Sequence, residues 1–361
     1  MINPDLFPQL GLNVNIETLP TYQQIIQDLD KKRRIKHLMF GNGFSMAYDP
    51  GIFSYNALST FIERTDNDLL KALFNAVKTK NFELIMQQLD TFIEIAKIFS
   101  TDIKLVDKIK EASETLKSSL IQAVKELHPE HVFTVSEGKS KCCFSFLQEY
   151  LGNGGSVFST NYDLLPYWVL MRNKAENSID GFGRDLENVD EVERGQDGEW
   201  SELRWGKYKD TQNVFYMHGA LPIFDTGIEI VKEEYDTQHY LLQKINERME
   251  RKEYPIFVTA GNANEKLHTI MHNKYLSYCY EKFTKIEGSL ITFGFNFGEY
   301  DTHIIDAINK AAHFGKRGGN KLHSIYIGVF SNDNLEHIRS IEHKFKCKVH
   351  LYNARTANIW S

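Results

Sequence analysis

Six short apolar runs punctuate the chain, at Ile35–Phe40, Ser156–Ser159, Val214–Met217, Pro255–Thr259, Ser289–Phe293 and Leu322–Phe330. They are rich in β-branched or aromatic residues and bounded by Gly, Asn or Asp, which is how buried parallel strands look. Helical periodicity, as in Thr302–Ala312 and Asn332–His343, falls between several of them. The alternation predicts an α/β fold, a doubly wound, mainly parallel sheet with helices on both faces.

From about residue 57 to 150 that alternation breaks. Phe82, Ile85, Met86, Leu89, Phe92, Ile93 and Ala96 recur at three- and four-residue spacing and form one apolar stripe on a helix. Asn81, with Glu83 just inside, supplies a start signal. The stripe reads as core, and the segment as a large helical insertion packed beside the sheet. The expected organisation is an N-terminal segment over residues 1–34 and one domain over 35–361, a length that would equally suit two domain-sized masses. Between Asn173 and Gly206 the chain turns polar and acidic around Gly181, Gly183, Gly195 and Gly198. This predicts a long surface excursion, a type of loop that often acts as a lid between two site-forming strands.

At 361 residues, with 42% hydrophobic and 25% charged positions, the composition is that of a self-folding globular protein. A net charge of -6 offers no broad footprint for nucleic acid. The basic cluster Lys31-Lys32-Arg33-Arg34 with Lys36 reads as a solvated stretch before the first strand, with a phosphate or nucleic-acid contact as the alternative. No apolar run approaches the roughly 18 residues of a membrane span. Met1-Ile2-Asn3-Pro4-Asp5 lacks a basic region leading into an apolar core, so the expected location is cytoplasmic. Cys142, Cys143, Cys279 and Cys347 have neither Cys-x-x-Cys spacing nor a regular framework, which predicts reduced thiols, mostly buried, and no zinc knuckle.

Four of the apolar runs end in polar islands, where an open α/β sheet delivers side chains to its ligand crevice. In Gly41-Asn42-Gly43-Phe44-Ser45 two glycines at a strand-to-helix junction allow backbone amides to approach a pyrophosphate. Met46 stands where a dinucleotide fingerprint needs its third glycine, and a plain tight turn explains the pair equally well. In Thr160-Asn161-Tyr162-Asp163, Asn161 can donate and accept at once, which suits holding a ribose hydroxyl or a water. Asp163 could instead cap the following helix. His218, set before Gly219 at a strand end, is the natural general base near neutral pH, or else a hydrogen-bonded core residue. The fourth island runs from Gly294-Phe295-Asn296-Phe297 to Asp301. His37 inside a strand and His303 at a helix start are less persuasive, and the pair His268 and His272, spaced as a metal clamp, reads as packing.

These islands, in this order, resemble the motifs of the sirtuin-like NAD-consuming family, and most of all its bacterial antiphage-defence members. The stretch Phe257-Val258-Thr259-Ala260-Gly261-Asn262-Ala263-Asn264-Glu265-Lys266, continuing into Tyr275-Leu276-Ser277, also resembles a bacterial branch catalogued as a domain of unknown function. The resemblance spans roughly residues 35 to 350. It implies a Rossmann-like sheet that binds NAD+ as substrate at its carboxyl edge, with Gly41, Asn42, Gly43, Phe44 and Ser45 on the pyrophosphate. Asn161 and His218 would take the catalytic amide and histidine roles. Asp163 would support the nicotinamide ribose, Thr160 and Gly219 would be cofactor-binding positions, and Gly294, Asn296 and Asp301 would fall near the adenosine half.

Protein-deacylating sirtuins resemble this chain in their sheet motifs but carry a four-cysteine zinc module that these cysteines cannot build. Pro50-Gly51-Ile52-Phe53 also departs from their Gly-Ile-Pro continuation. The resemblance therefore implies a metal-free NAD+ glycohydrolase that releases nicotinamide and ADP-ribose, gated by homo-oligomer assembly or by a partner such as a ring-forming ATPase. The rival readings are a non-catalytic NAD+ or ADP-ribose sensor, a zinc-independent protein deacylase, and a scaffold with a degenerate site.

Overall fold

The structure is a computed structural model and describes residues 15–50, 68–77, 82–99, 103–129, 131–234, 241–251, 253–258, 262–313 and 321–361. Its centre is a six-stranded sheet of β1 (Lys36–Phe40), β2 (Val157–Ser159), β5 (Val214–Tyr216), β9 (Gly288–Phe293), β10 (Leu322–Val329) and β11 (Lys348–Asn353), ordered β11-β10-β9-β1-β2-β5. Every pairing in it is parallel. The chain winds outward from β1 through β2 to β5, then returns to the other side of β1 as β9. Order reversals of this kind open a crevice at the carboxyl ends of the strands.

The central strands form because their residues are apolar on both faces, and helices flank the sheet to cover them. Leu38, Met39 and Phe40 are fully buried, and Phe158 stacks on Phe215 of the neighbouring strand with ring centroids 4.8 Å apart. Of the six predicted runs, five are parallel strands of this sheet. β11, which no apolar run announces, mixes Lys348 and His350 with Val349 and Leu351 because it is an edge strand with a partly open face.

Pro255–Thr259 is the run that goes elsewhere. Its strand, β8 (Pro255–Phe257), is antiparallel and belongs to a second, five-stranded sheet with β3 (Phe182–Gly183), β4 (Leu203–Trp205), β7 (Ile230–Lys232) and β6 (Gly219–Asp225). The cause lies at Gly219. Its φ of +85° turns the chain straight from the end of β5 into β6, and a Cβ there would sit 1.8 Å from the Ile256 carbonyl oxygen. With no helix between β5 and β6, the chain doubles back, and β8 closes on β6 as an antiparallel neighbour. The predicted excursion from Asn173 to Gly206 likewise contains structure, the strands β3 and β4 with a short helix Val189–Val192 between them.

Between β1 and β2 lie the helices Asn42–Tyr48, Asp68–Val77, Phe82–Phe99, Ile103–Leu127 and Glu137–Leu151. Of the predicted stripe, Ile85, Leu89, Ile93 and Ala96 are buried, whereas Phe92 is 50% exposed. Asn81 and the side chains of Phe82, Glu83 and Met86 lie outside what is described, as do Gly51, Ile52 and Phe53 and Thr259, Ala260 and Gly261. Lys36 departs from the expectation of a solvated basic cluster. It is 1% exposed, and its ammonium is paired with Asp30 and Glu149. All four cysteines are free, and Cys143 and Cys279 are buried. No helix among the described residues is long and apolar enough to cross a membrane.

Candidate functional site

One rung of the parallel sheet organises the polar islands. Phe40 pairs with Phe293 on one side and Ser159 on the other, and Ser159 pairs with Tyr216. The next residues along the four strands are Gly294, Gly41, Thr160 and Met217, followed by Phe295, Asn42, Asn161 and His218. All four islands therefore leave the sheet at one level of its carboxyl edge. Asn161 and His218 each stand two residues past the Ser159–Tyr216 pair.

The glycine turn meets the end of β9 backbone to backbone. Gly41 N–H donates to the Phe293 carbonyl at 3.1 Å and Gly43 N–H to the Gly294 carbonyl at 2.9 Å. A Cβ on Gly43 would lie 2.5 Å from the Gly294 Cα, so the close approach of the two segments explains both Gly43 and Gly294, the latter at φ +63°. Phe44 N–H is also engaged, on the Gly41 carbonyl at 2.9 Å. Three amides of the predicted pyrophosphate cradle thus already have carbonyl partners.

Ser45, one turn into the helix Asn42–Tyr48, is the hub of the first side-chain cluster. Its hydroxyl donates to Asp163 Oδ2 at 2.5 Å and accepts from Asn161 Nδ2 at 2.8 Å. Asp163 Oδ1 also accepts from Leu165 N–H at 3.0 Å, so the carboxylate holds the first amide of the helix Leu165–Arg172, whose N-cap is Leu164, and Ser45 at once. Ser45, Asn161 and Asp163 are all buried, and Thr160 ties the β2 end to β1 through its N–H and hydroxyl on the Phe40 carbonyl. Below them, buried His128 accepts Leu164 N–H at 2.9 Å and packs edge-on against Trp168.

His218 heads the second cluster. Its Nε2 lies 3.3 Å from His303 Nε2, its carbonyl receives Val258 N–H at 3.0 Å, and it is 4% exposed. Burial, with the neighbouring His303 and Lys266, holds its pKa well below the ordinary imidazole range. His303 is depressed to about 4, chiefly by burial, with Asp301 and the Tyr300 carbonyl opposing and Lys266 adding to the fall. Lys266, 2% exposed, is paired with Asp301 at 3.1 Å. Asp301 therefore stands with the histidine pair. Asn296 is turned elsewhere, accepting from Asn334 Nδ2 at 2.5 Å, and its carbonyl contacts His337 at 2.9 Å.

The site therefore brings Ser45, Asn161 and Asp163 together in direct contact and sets His218 at the same level one strand over. His303 and Lys266 join it although their sequence context singles out neither, and His128 supports it without any local signal. Among the described residues no group of three or more His, Cys, Asp or Glu could hold a metal. His268 and His272 stack on each other, with centroids 3.9 Å apart. A cavity of about 340 Å³ lies beside β5, lined by Tyr167, Asp180, Tyr216 and Lys232 among others, and Ser45, Asn161, Asp163, His218 and His303 do not line it.

Fold and site define an α/β protein whose parallel sheet gathers buried amide, carboxylate, hydroxyl and imidazole groups at its carboxyl edge. The chain belongs to the family described as Domain of unknown function (DUF4917), whose model matches residues 38–360. No curated protein matches it.

Proposed function

We propose that the protein is an NAD+ glycohydrolase that splits the bond between nicotinamide and ribose. The observation that carries this reading is the common level of Asn161 and His218, both buried, two residues past paired positions on adjacent strands. The carboxyl edge beside an order reversal is where open α/β sheets take nucleotides. The sequential order of the motifs, similar to that of the sirtuin-like NAD-consuming family, supports the same choice.

In the step we assign, the bond from ribose C1′ to the pyridinium nitrogen breaks, and its electron pair leaves with nicotinamide, which departs neutral. A water oxygen bonds to C1′ and its proton passes to His218, then to solvent. The transition state is oxocarbenium-like, so oriented polar groups count for more than a strong acid. Ser45 fixes the Asn161 amide nitrogen, which leaves its oxygen for a ribose hydroxyl or the attacking water. Burial keeps His218 neutral near pH 7, the state in which a base can accept.

The pyrophosphate is assigned to the glycine turn, where it must take amides now held by the Phe293 and Gly294 carbonyls. That exchange, with the burial of the reacting groups, supports gating by homo-oligomer assembly or by a ring-forming ATPase partner. The same reading takes the segment of about 57–150 as an insertion in a sirtuin-like domain over 35–361 and the setting as the bacterial cytoplasm, where NAD+ depletion serves antiphage defence.

The test is incubation of the purified chain with NAD+, alone and with candidate partners, with nicotinamide release compared for Asn161→Ala and His218→Ala. Each substitution is expected to cost more than about a hundredfold, the scale of a lost general base. Turnover unchanged in both variants would exclude the assignment. Stoichiometric NAD+ or ADP-ribose binding without nicotinamide release, with every partner present, would identify a sensor, and consumption of an acyl-lysine peptide together with NAD+ would identify a deacylase.

A further inference from the structure

We propose that the amino edge of the parallel sheet is a nucleic-acid-binding surface, one that grips the phosphate backbone without reading its sequence. It lies at the opposite end of the strands from Asn161 and His218, so binding there neither needs nor tests NAD+ turnover.

Cations from three separate segments meet at this edge. Lys31, Lys32 and Arg33 are exposed at the end of the helix Tyr22–Lys31 and lead through Arg34 into β1. The Ile35 carbonyl accepts from Ser289 N–H at 2.9 Å, and Gly288 N–H donates to the Lys321 carbonyl at 3.1 Å, so β1, β9 and β10 start at one level. Arg34 Nη1 donates to Ser324 Oγ at 3.3 Å, and Ser324 pairs with Lys348, the first residue of β11. Along the approach to β11, Phe345 is buried and Cys347 half-buried, whereas Lys344, Lys346 and Lys348 are exposed. The alternation of an extended chain thus turns three lysines outward.

Arg33 closes its helix at φ +51°, a conformation that glycine or asparagine takes at lower cost, yet the position carries a guanidinium. His323 is held below the ordinary imidazole range by partial burial, Arg34 and Lys321. His350 is lowered by partial burial, Lys348 and Lys32, with Asp28 opposing and Arg34 adding to the fall. Of the carboxylates here, Asp28 is paired with Lys32, and Glu287 and Glu342 leave the cations in excess. On a chain of net charge -6 that excess is local. From β1 to β11 the edge crosses β9 and β10, a span of about 14 Å, over which a duplex carries about eight phosphates. A membrane surface would call for an apolar anchor beside the charges, and in these segments the one exposed large apolar side chain is Ile35, at 40%. Contacts to the backbone position a nucleic acid without specifying its bases.

The full chain is titrated into a short fluorescein-labelled DNA duplex and into a single-stranded RNA of the same length, with anisotropy as the readout. Both are expected to bind. Raising salt from about 50 to about 200 mM should weaken binding steeply, each phosphate contact on the duplex adding about 0.9 to the slope of log affinity against log salt. K346E/K348E should cost about tenfold or more and flatten that slope by about 2. K108E/K110E, at exposed positions of the helix Ile103–Leu127, changes the net charge equally and should leave the affinity within about twofold. All four lysines are exposed, so neither double variant removes a core contact. Absence of binding with about 100 μM protein at about 50 mM salt, the weak limit of non-specific contacts, overturns the proposal, as do equal losses in the two double variants. Tighter binding to vesicles of phosphatidylserine and phosphatidylcholine than to the duplex overturns it too and assigns the surface to a membrane.

Discussion

Ser45 uses one buried hydroxyl twice, as donor to Asp163 and as acceptor from Asn161. Ser45→Ala leaves both partners in place and buried, and an orphaned buried polar group costs about 1–3 kcal/mol. Asp163 retains Leu165 N–H, so the Asn161 amide loses the more. The expected result is a lower urea midpoint at unchanged m-value together with slower NAD+ turnover, and a midpoint equal to that of the wild type would contradict it. The histidines make a second residue-scale prediction. His37 and His303 are held at about 4 against the ordinary 6.5, and His218 and His128 are also lowered, in each case chiefly by burial. These rings are neutral when folded, but the unfolded chain protonates them below about pH 6.5. The unfolded state therefore binds more protons as the pH falls. Stability should be full above about pH 6.5 and decline toward pH 4, by up to about 1.4 kcal/mol per pH unit for each such histidine. Urea midpoints between those limits check this, and a flat profile would count against it.

The helix Asn42–Tyr48 owes its position to contacts without side chains. A Cβ on Gly43 would stand 2.5 Å from the Gly294 Cα, whereas one on Gly138, in the helix Glu137–Leu151, would meet nothing within 4 Å. Gly43→Ala must push β9 and the turn apart and should cost about 1–3 kcal/mol, as overpacking does. Gly138→Ala should stabilise by about 0.5–1 kcal/mol, the ordinary helix preference for alanine over glycine. Thermal unfolding of the two variants should therefore move in opposite directions. The contrast also shows where local pattern stops being informative. β1, β2, β5, β9 and β10 were legible because each is an apolar run ending in Gly, Asn or Asp. The strand ends placed Asn161 and His218 each at a carboxyl terminus, but their common level comes from the pairing of β2 with β5 in register, which the sequence left open. The second sheet was legible only at β8, which lies in a predicted run: β3 has two residues, β4 and β7 carry the charged Arg204 and Lys232 among three, and β6 contains Pro222, which argues against a strand interior. The contacts that build the site were hidden for a different reason. Ser45 meets Asp163 across 118 residues of chain and His218 meets His303 across 85, and no window of local sequence holds both partners.

Over the whole molecule, residues far apart in the chain converge on the segment that carries Ser45. Trp360, 4% exposed, donates from Nε1 to the Phe44 carbonyl at 3.0 Å. Its ring meets Phe44 and Tyr48 edge-on, with centroids 5.2 and 5.1 Å away. Phe44 in turn stacks on Phe40 of β1 at 4.2 Å. The helix is therefore held to the sheet through Phe40, to β9 through Gly43 and to the Ile359–Trp360 stretch through Phe44. Removing the tryptophan ring takes away one of these three anchors, whereas replacing it with phenylalanine keeps most of the ring contact and removes the hydrogen bond. Trp360→Ala is expected to cost about 3–5 kcal/mol, as large aromatic truncations in a core do. Trp360→Phe should cost closer to about 1 kcal/mol, the net worth of one hydrogen bond plus a small volume change. If the anchor also sets the Ser45 hydroxyl against Asn161, NAD+ turnover measured well below the unfolding transition should fall in Trp360→Ala and hold in Trp360→Phe. Equal losses of stability in the two variants would mean that the hydrogen bond, and not the packed ring, holds the helix in place.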